Sequence, residues 1–83
     1  MTYAIVRKIH ATGGGHIPQP EETCTDAESL RARVEELARD IATSFLAVRD
    51  DATGQLMDPK RMRLLTGYEP IYRGSGYEPI NPR

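Results

Sequence analysis

The chain has no tryptophan, one phenylalanine and one cysteine. A lone Cys24 cannot close an internal disulfide, so packing alone must hold the fold, and this usage agrees with a reducing compartment. No apolar run nears the roughly 18 residues of a membrane-spanning helix, and the sequence opens on a strand-like segment without a signal-peptide pattern. A cytoplasmic location and no membrane partner are therefore expected. Catalytic signatures are missing too: there is no HExxH, Gly-x-Ser-x-Gly, Walker A, GxGxxG or CxxC. The adjacent carboxylates Glu21-Glu22, Glu35-Glu36 and Asp50-Asp51 suit solvated positions, because a catalytic pair needs a buried pocket that shifts a pKa. Only 83 residues are available to build one. The expectation is a protein that is not an enzyme and takes no cofactor.

What is present describes one small domain. With 39% hydrophobic and 28% charged residues and a mean hydropathy of -0.53, the composition is that of an ordinary globular chain rather than a disordered one. A domain this small buries about 60 to 65% of the surface its unfolded chain exposes, so its core has little stability to spare. The net charge of -1 hides an uneven distribution: residues 1–20 carry +2, residues 21–58 carry -6 and residues 59–83 carry +3. Basic ends flanking an acidic middle are explained most simply by ends that pack near one another and complement the helical segment electrostatically.

The longest periodic stretch lies in residues 25–49. Leu30, Val34, Leu37, Ile41, Phe45 and Val48 recur at steps of three and four, which places them on one face of an α-helix. Thr25-Asp26-Ala27-Glu28 fits a capping box, in which hydroxyl and carboxylate satisfy N–H groups left orphaned in the first turn. The same stretch admits a second reading near its end. Residues 43–49, the Asp-rich turn 50–54 and Gln55-Leu56-Met57 read as a β-hairpin in which Gly54 takes a positive φ. A helix running to Gly54 would be nearly 40 Å long at about 1.5 Å per residue, too long for this globule to cover, so the hairpin is preferred.

Elsewhere the local signals are weaker. Residues 2–10 mix β-branched and aromatic side chains without Gly or Pro and read as a strand apolar on both faces. Residues 11–23, with Gly13-Gly14-Gly15, Pro18 and Pro20, read as a long connecting loop. The glycines do not form a phosphate cradle, since two prolines and no lysine follow them. His10, His16 and Cys24 have metal-ligating atoms but match no known ligand spacing, so no metal site is expected. Asp58-Pro59 suits an N-cap and first helical position, yet residues 61–66 fit a strand or a short helix ending at Gly67 equally well. Beyond them Gly67-Tyr68-Glu69-Pro70-Ile71 recurs as Gly76-Tyr77-Glu78-Pro79-Ile80. Prolines at this density exclude a central strand, and the segment is read as an extended tail.

The expected fold is α+β in the order β-α-β-β. One helix, residues 26–42, lies across a short antiparallel sheet, within a domain of residues 1–66 followed by a Pro/Tyr-rich tail of residues 67–83. Its core should unite Leu30, Val34, Leu37 and Ile41 with Ile5 or Val6, Phe45 or Leu46, and Leu64 or Leu65. One helix covers one face of a sheet, so the other face needs the tail, a second copy or a partner. The favoured function is a non-enzymatic protein-binding module: a small inhibitor, adaptor or accessory subunit docking on a larger protein, or a homodimer. Small phage-borne inhibitors of bacterial defence systems offer an analogy of scale. Its contacts are expected at Tyr68, Pro70, Ile71, Tyr77, Pro79 and Ile80, where stiffened backbone and flat rings lie on a groove at low entropic cost. The alternative is a nucleic-acid-binding patch of Arg7, Lys8, Lys60, Arg61 and Arg63, with Tyr68 or Tyr72 for stacking. A pI near 6.1 argues against that alternative.

Overall fold

Two eight-residue strands form the spine of the molecule in a computed structural model that describes residues 2–73. β1 (Tyr3–His10) and β4 (Thr43–Asp50) pair antiparallel from Tyr3↔Asp50 to Lys8↔Phe45, after which the register jumps to Ile9↔Thr43. Ser44 is thus the extra residue of a β-bulge, which bends the strand and re-aims its neighbours. Each outer row of the sheet is made of two short strands. β2 (His16–Pro18) and β3 (Glu22–Cys24) both pair with β1, whereas β5 (Gln55–Leu56) and β6 (Ile71–Tyr72) both pair with β4.

Among the described residues a six-stranded sheet and two helices make a small α+β domain, with more elements than the expected β-α-β-β order. Part of the difference lies in residues 11–23, where loop is confined to residues 19–21 and to residues 11–15, the latter closed by Ala11 N–H donating to the Gly15 carbonyl. Gly13 and Gly14 supply the positive φ angles, 94° and 98°, that the turn requires. Pro18 is tolerated in β2 because Gln19 donates its N–H inward to the Arg7 carbonyl, which leaves the preceding backbone nitrogen on the open edge.

Helix α1 runs Ala27–Arg39. Its N-cap is Asp26, whose carboxylate accepts from Ser29 N–H, so the expected Thr25 capping box is shifted by one residue. Leu30, Val34 and Leu37 are buried as their spacing requires, joined by Ala38. Ile41 is not: it is 86% exposed, because Asp40 leaves the helix with ψ 118° and its side chain accepts from Ala42 N–H, turning the chain into β4. The hairpin from β4 to β5 follows, with Gly54 at φ 72° donating to the Asp50 carbonyl. Helix α2 (Pro59–Thr66) resolves the open reading of residues 61–66, with Asp58 as N-cap, Pro59 in the first turn and Gly67 at φ 87° closing the end.

The core joins Tyr3, Ile5, Leu46 and Val48 of the sheet to Leu30, Val34, Leu37, Ala38 and Met62 of the helices, with Met57 beside them. Leu65, Tyr68 and Ile71 pack against it half-buried, whereas Leu64 is 75% exposed. The first copy of the repeat therefore runs on from α2 into the sheet. The second copy, Gly76 to Ile80, lies outside the described residues. No helix among the described residues is long and apolar enough to cross a membrane.

Candidate binding face of the sheet

Alternation along the two central strands separates two faces. Ile5 and Val48 stand opposite each other on the helix side. On the other side lie the cross-strand pairs Ala4↔Arg49, Val6↔Ala47 and Lys8↔Phe45. Register adds Tyr72 beside Phe45 and Leu56 beside Arg49. No helix covers this face among the described residues, since the helices share their buried residues with the opposite one.

The centre of the face holds the small residues Ala4 and Ala47, both buried. At one end the Phe45 and Tyr72 rings meet edge to face, 5.2 Å apart and inclined at 61°, a favourable quadrupolar arrangement. Lys8 Nζ stands 5.2 Å from the Phe45 ring centre, within cation–π range. Tyr72 is 53% exposed, and Leu56 at the other end is 48% exposed. Arg49 beside Leu56 is held by both oxygens of Glu21, at 2.8 and 2.6 Å. That bidentate pair pushes the Glu21 carboxyl below its ordinary range and raises Arg49.

The five basic residues of the alternative site do not converge. Arg7 is on the helix side, where its guanidinium donates to Thr43 Oγ1 at 2.9 Å and Asp40 Oδ2 at 2.7 Å, while Lys8 is on the opposite face. Arg61 pairs with the buried Asp50 at 2.8 Å, at the end of β4 remote from Lys8. Arg63 approaches Glu69 at 3.7 Å, and Lys60 is exposed on α2. Three of the five charges thus face a carboxylate.

Among the residues expected to bind protein, Tyr68 and Ile71 pack against the domain's own core, and Tyr68 N–H donates to Thr66 Oγ1. Pro70 is half-buried between them. Tyr77, Pro79 and Ile80 lie outside the described residues. Among the described residues of this region the exposed ring is Tyr72, one residue past the first copy of the repeat, and its partner Phe45 sits in the strand T-S-F-L-A-V-R-D. Apolar residues at both parities in that strand were the available signal. The potential metal ligands divide: His10 and His16 are cross-strand partners, whereas Cys24 is opposite Tyr3, at the other end of β1. Burial, followed by Glu22 and Asp26, pushes the Cys24 thiol up. No enclosed cavity and no cluster of three potential metal ligands occur among the described residues.

No protein-family model, curated protein or solved structure matches the chain.

Proposed function

We propose that the protein is a non-enzymatic binding module, an inhibitor, adaptor or accessory subunit, which docks on a larger protein through the helix-free face of its sheet. The observation that carries this reading is the Phe45–Tyr72 ring pair, with Tyr72 half exposed, beside the small residues Ala4 and Ala47 on the face that no helix covers among the described residues. Aromatic rings next to small apolar residues have the form of an interface anchor, contributing large area with few rotamers to freeze. Lys8 and the Glu21–Arg49 pair supply a polar rim. A cytoplasmic site of action belongs to the same proposal, as does a phage or bacterial setting. Partner protein is preferred to nucleic acid because three cations of the alternative patch are engaged by Asp40, Asp50 and Glu69, and phosphate-driven affinity needs unneutralised charge.

The test places a photo-crosslinking side chain at position 72, with position 64 on the exposed side of α2 as control, in cells of the native host. A discrete protein adduct from position 72 and none from position 64 is expected, and Phe45→Ala should abolish it. A homodimer adduct would redirect the proposal to self-association. A gel shift that disappears in Lys8→Ala/Lys60→Ala/Arg63→Ala, with no protein adduct, would replace it with the nucleic-acid reading.

A further inference from the structure

The sheet brings together two imidazoles that are six positions apart in sequence. His10 ends β1 and His16 begins β2, directly opposite each other in the register, with ring centres 6.0 Å apart and planes tilted by 41°. With metal–nitrogen bonds of about 2.0–2.1 Å, one ion shared by two imidazoles sets their centres roughly 5 to 6 Å apart. The rings are already at the outer limit of that range, and a small χ rotation of the exposed His10 closes the remainder.

Three further features hold the pair in place. His16 Nδ1 lies 2.9 Å from Ser44 Oγ, on the bulge residue of β4, which is 1% exposed. A hydrogen bond to one ring nitrogen fixes the ring's orientation and leaves Nε2 as the coordinating atom, the arrangement that surrounds most ligating histidines. His10 N–H donates to the Ala42 carbonyl, which ties the end of β1 to the chain entering β4. The five-residue loop between the histidines is closed by its own backbone bonds, Ala11 to Gly15 and Gly14 to Ala11, so little chain entropy remains to be lost when both rings engage one ion.

We propose that His10 and His16 form a two-histidine chelate for a divalent transition-metal ion of the Zn2+, Ni2+ or Cu2+ class, with water completing its coordination. Neutral imidazole nitrogen selects these borderline ions over Ca2+ and Mg2+, which require oxygen ligands. Lys8 lies two residues along β1 on the same face, Arg73 donates its backbone N–H to the Ser44 carbonyl, and the Asp40 carboxylate is engaged by Arg7 and by Ala42 N–H. Among the described residues no carboxylate joins the two histidines as a third ligand.

Isothermal titration of the full chain with Zn2+ tests the proposal. One ion per chain is expected, with affinity at least tenfold lower in His10→Ala and in His16→Ala. Ser44→Ala should weaken binding by a smaller factor, because it removes an orienting contact and not a ligand. Cys24→Ser should bind as the parent does, its thiol being seven residues away along β1, about 23 Å at roughly 3.3 Å per residue. Thermal melts at each composition establish that the variants are folded, and added Zn2+ should raise the parent's Tm but not that of the double histidine variant. The proposal is overturned if the double variant binds Zn2+ as the parent does, if binding is lost with Cys24→Ser alone, or if the folded parent takes up no ion at millimolar Zn2+.

Discussion

Leu37 and Ile41 differ by one helical turn in sequence and by a complete change of environment in the fold. Leu37 is in the core and Ile41 is in the turn after Asp40, so Leu37→Ala should cost about 2–5 kcal/mol, the range for a truncated core side chain, while Ile41→Ala should change stability by less than about 0.5 kcal/mol. Denaturant titration of the two variants separates them, and equal losses would contradict the observed end of α1. Leu30, Val34 and Leu37 were readable because their environment is set by position along one helix. Ile41 was not, because a three-to-four period continues by coincidence through a turn and into Phe45 and Val48 of the next strand. Asp50 gives a second expectation. Hydrogen bonds, first from Ala52 N–H and then from Arg61, hold its carboxyl below the ordinary range. A carboxyl whose folded pKa lies below its unfolded value stabilises the fold above the unfolded value, and that contribution disappears as the pH falls through the folded one. The Tm should therefore drop on acidification below about pH 4, and Asp50→Asn should flatten that part of the profile. An unchanged acid slope would mean that other carboxylates dominate it.

At the scale of the element, the ends of α2 were more legible than its interior, the reverse of α1. The cap residues of α2, Asp58, Pro59 and Gly67, act through local backbone geometry and could be recognised without knowing the tertiary fold. Its interior, K-R-M-R-L-L, has no decisive period, and what makes it a helix is Met62 and Thr66 buried on one side with Leu65 beside them. The strands β2 and β3 were illegible for a different reason. Three residues show no alternation, so they are strands only because β1 offers them unpaired N–H and C=O groups. Gly67→Ala tests the cap. A Cβ there would meet nothing within 4 Å, so its cost is the left-handed backbone alone, about 1–2 kcal/mol. Asp58→Ala should cost about 1 kcal/mol. A stability gain in either variant, measured by chemical denaturation, would show that α2 is not closed by these residues.

For the whole molecule, the two-layer arrangement with a helix-free sheet face followed from strands apolar on both sides and too few helices to cover them. The placement of residues 67–73 did not follow, because Pro70 argued against a strand, and an edge strand of two residues escapes that argument by starting just after it. A chain ending at Arg73 should consequently be more stable than one ending at Thr66, which lacks Tyr68 and Ile71 at the core; equal melting temperatures would place residues 67–73 outside the cooperative unit. The spine of the sheet also imposes an order on biosynthesis. β1 is translated first, but its partner β4 lies on the order of 40 residues later, an interval of several seconds at roughly 5–20 residues per second. During that interval β1 can be accompanied by β2, β3 and α1, but the strand that pairs with its other edge and brings Leu46 and Val48 to the core is missing. The nascent chain thus passes through a window in which one edge of β1 is unpaired, and the window closes when Asp50 has left the ribosome.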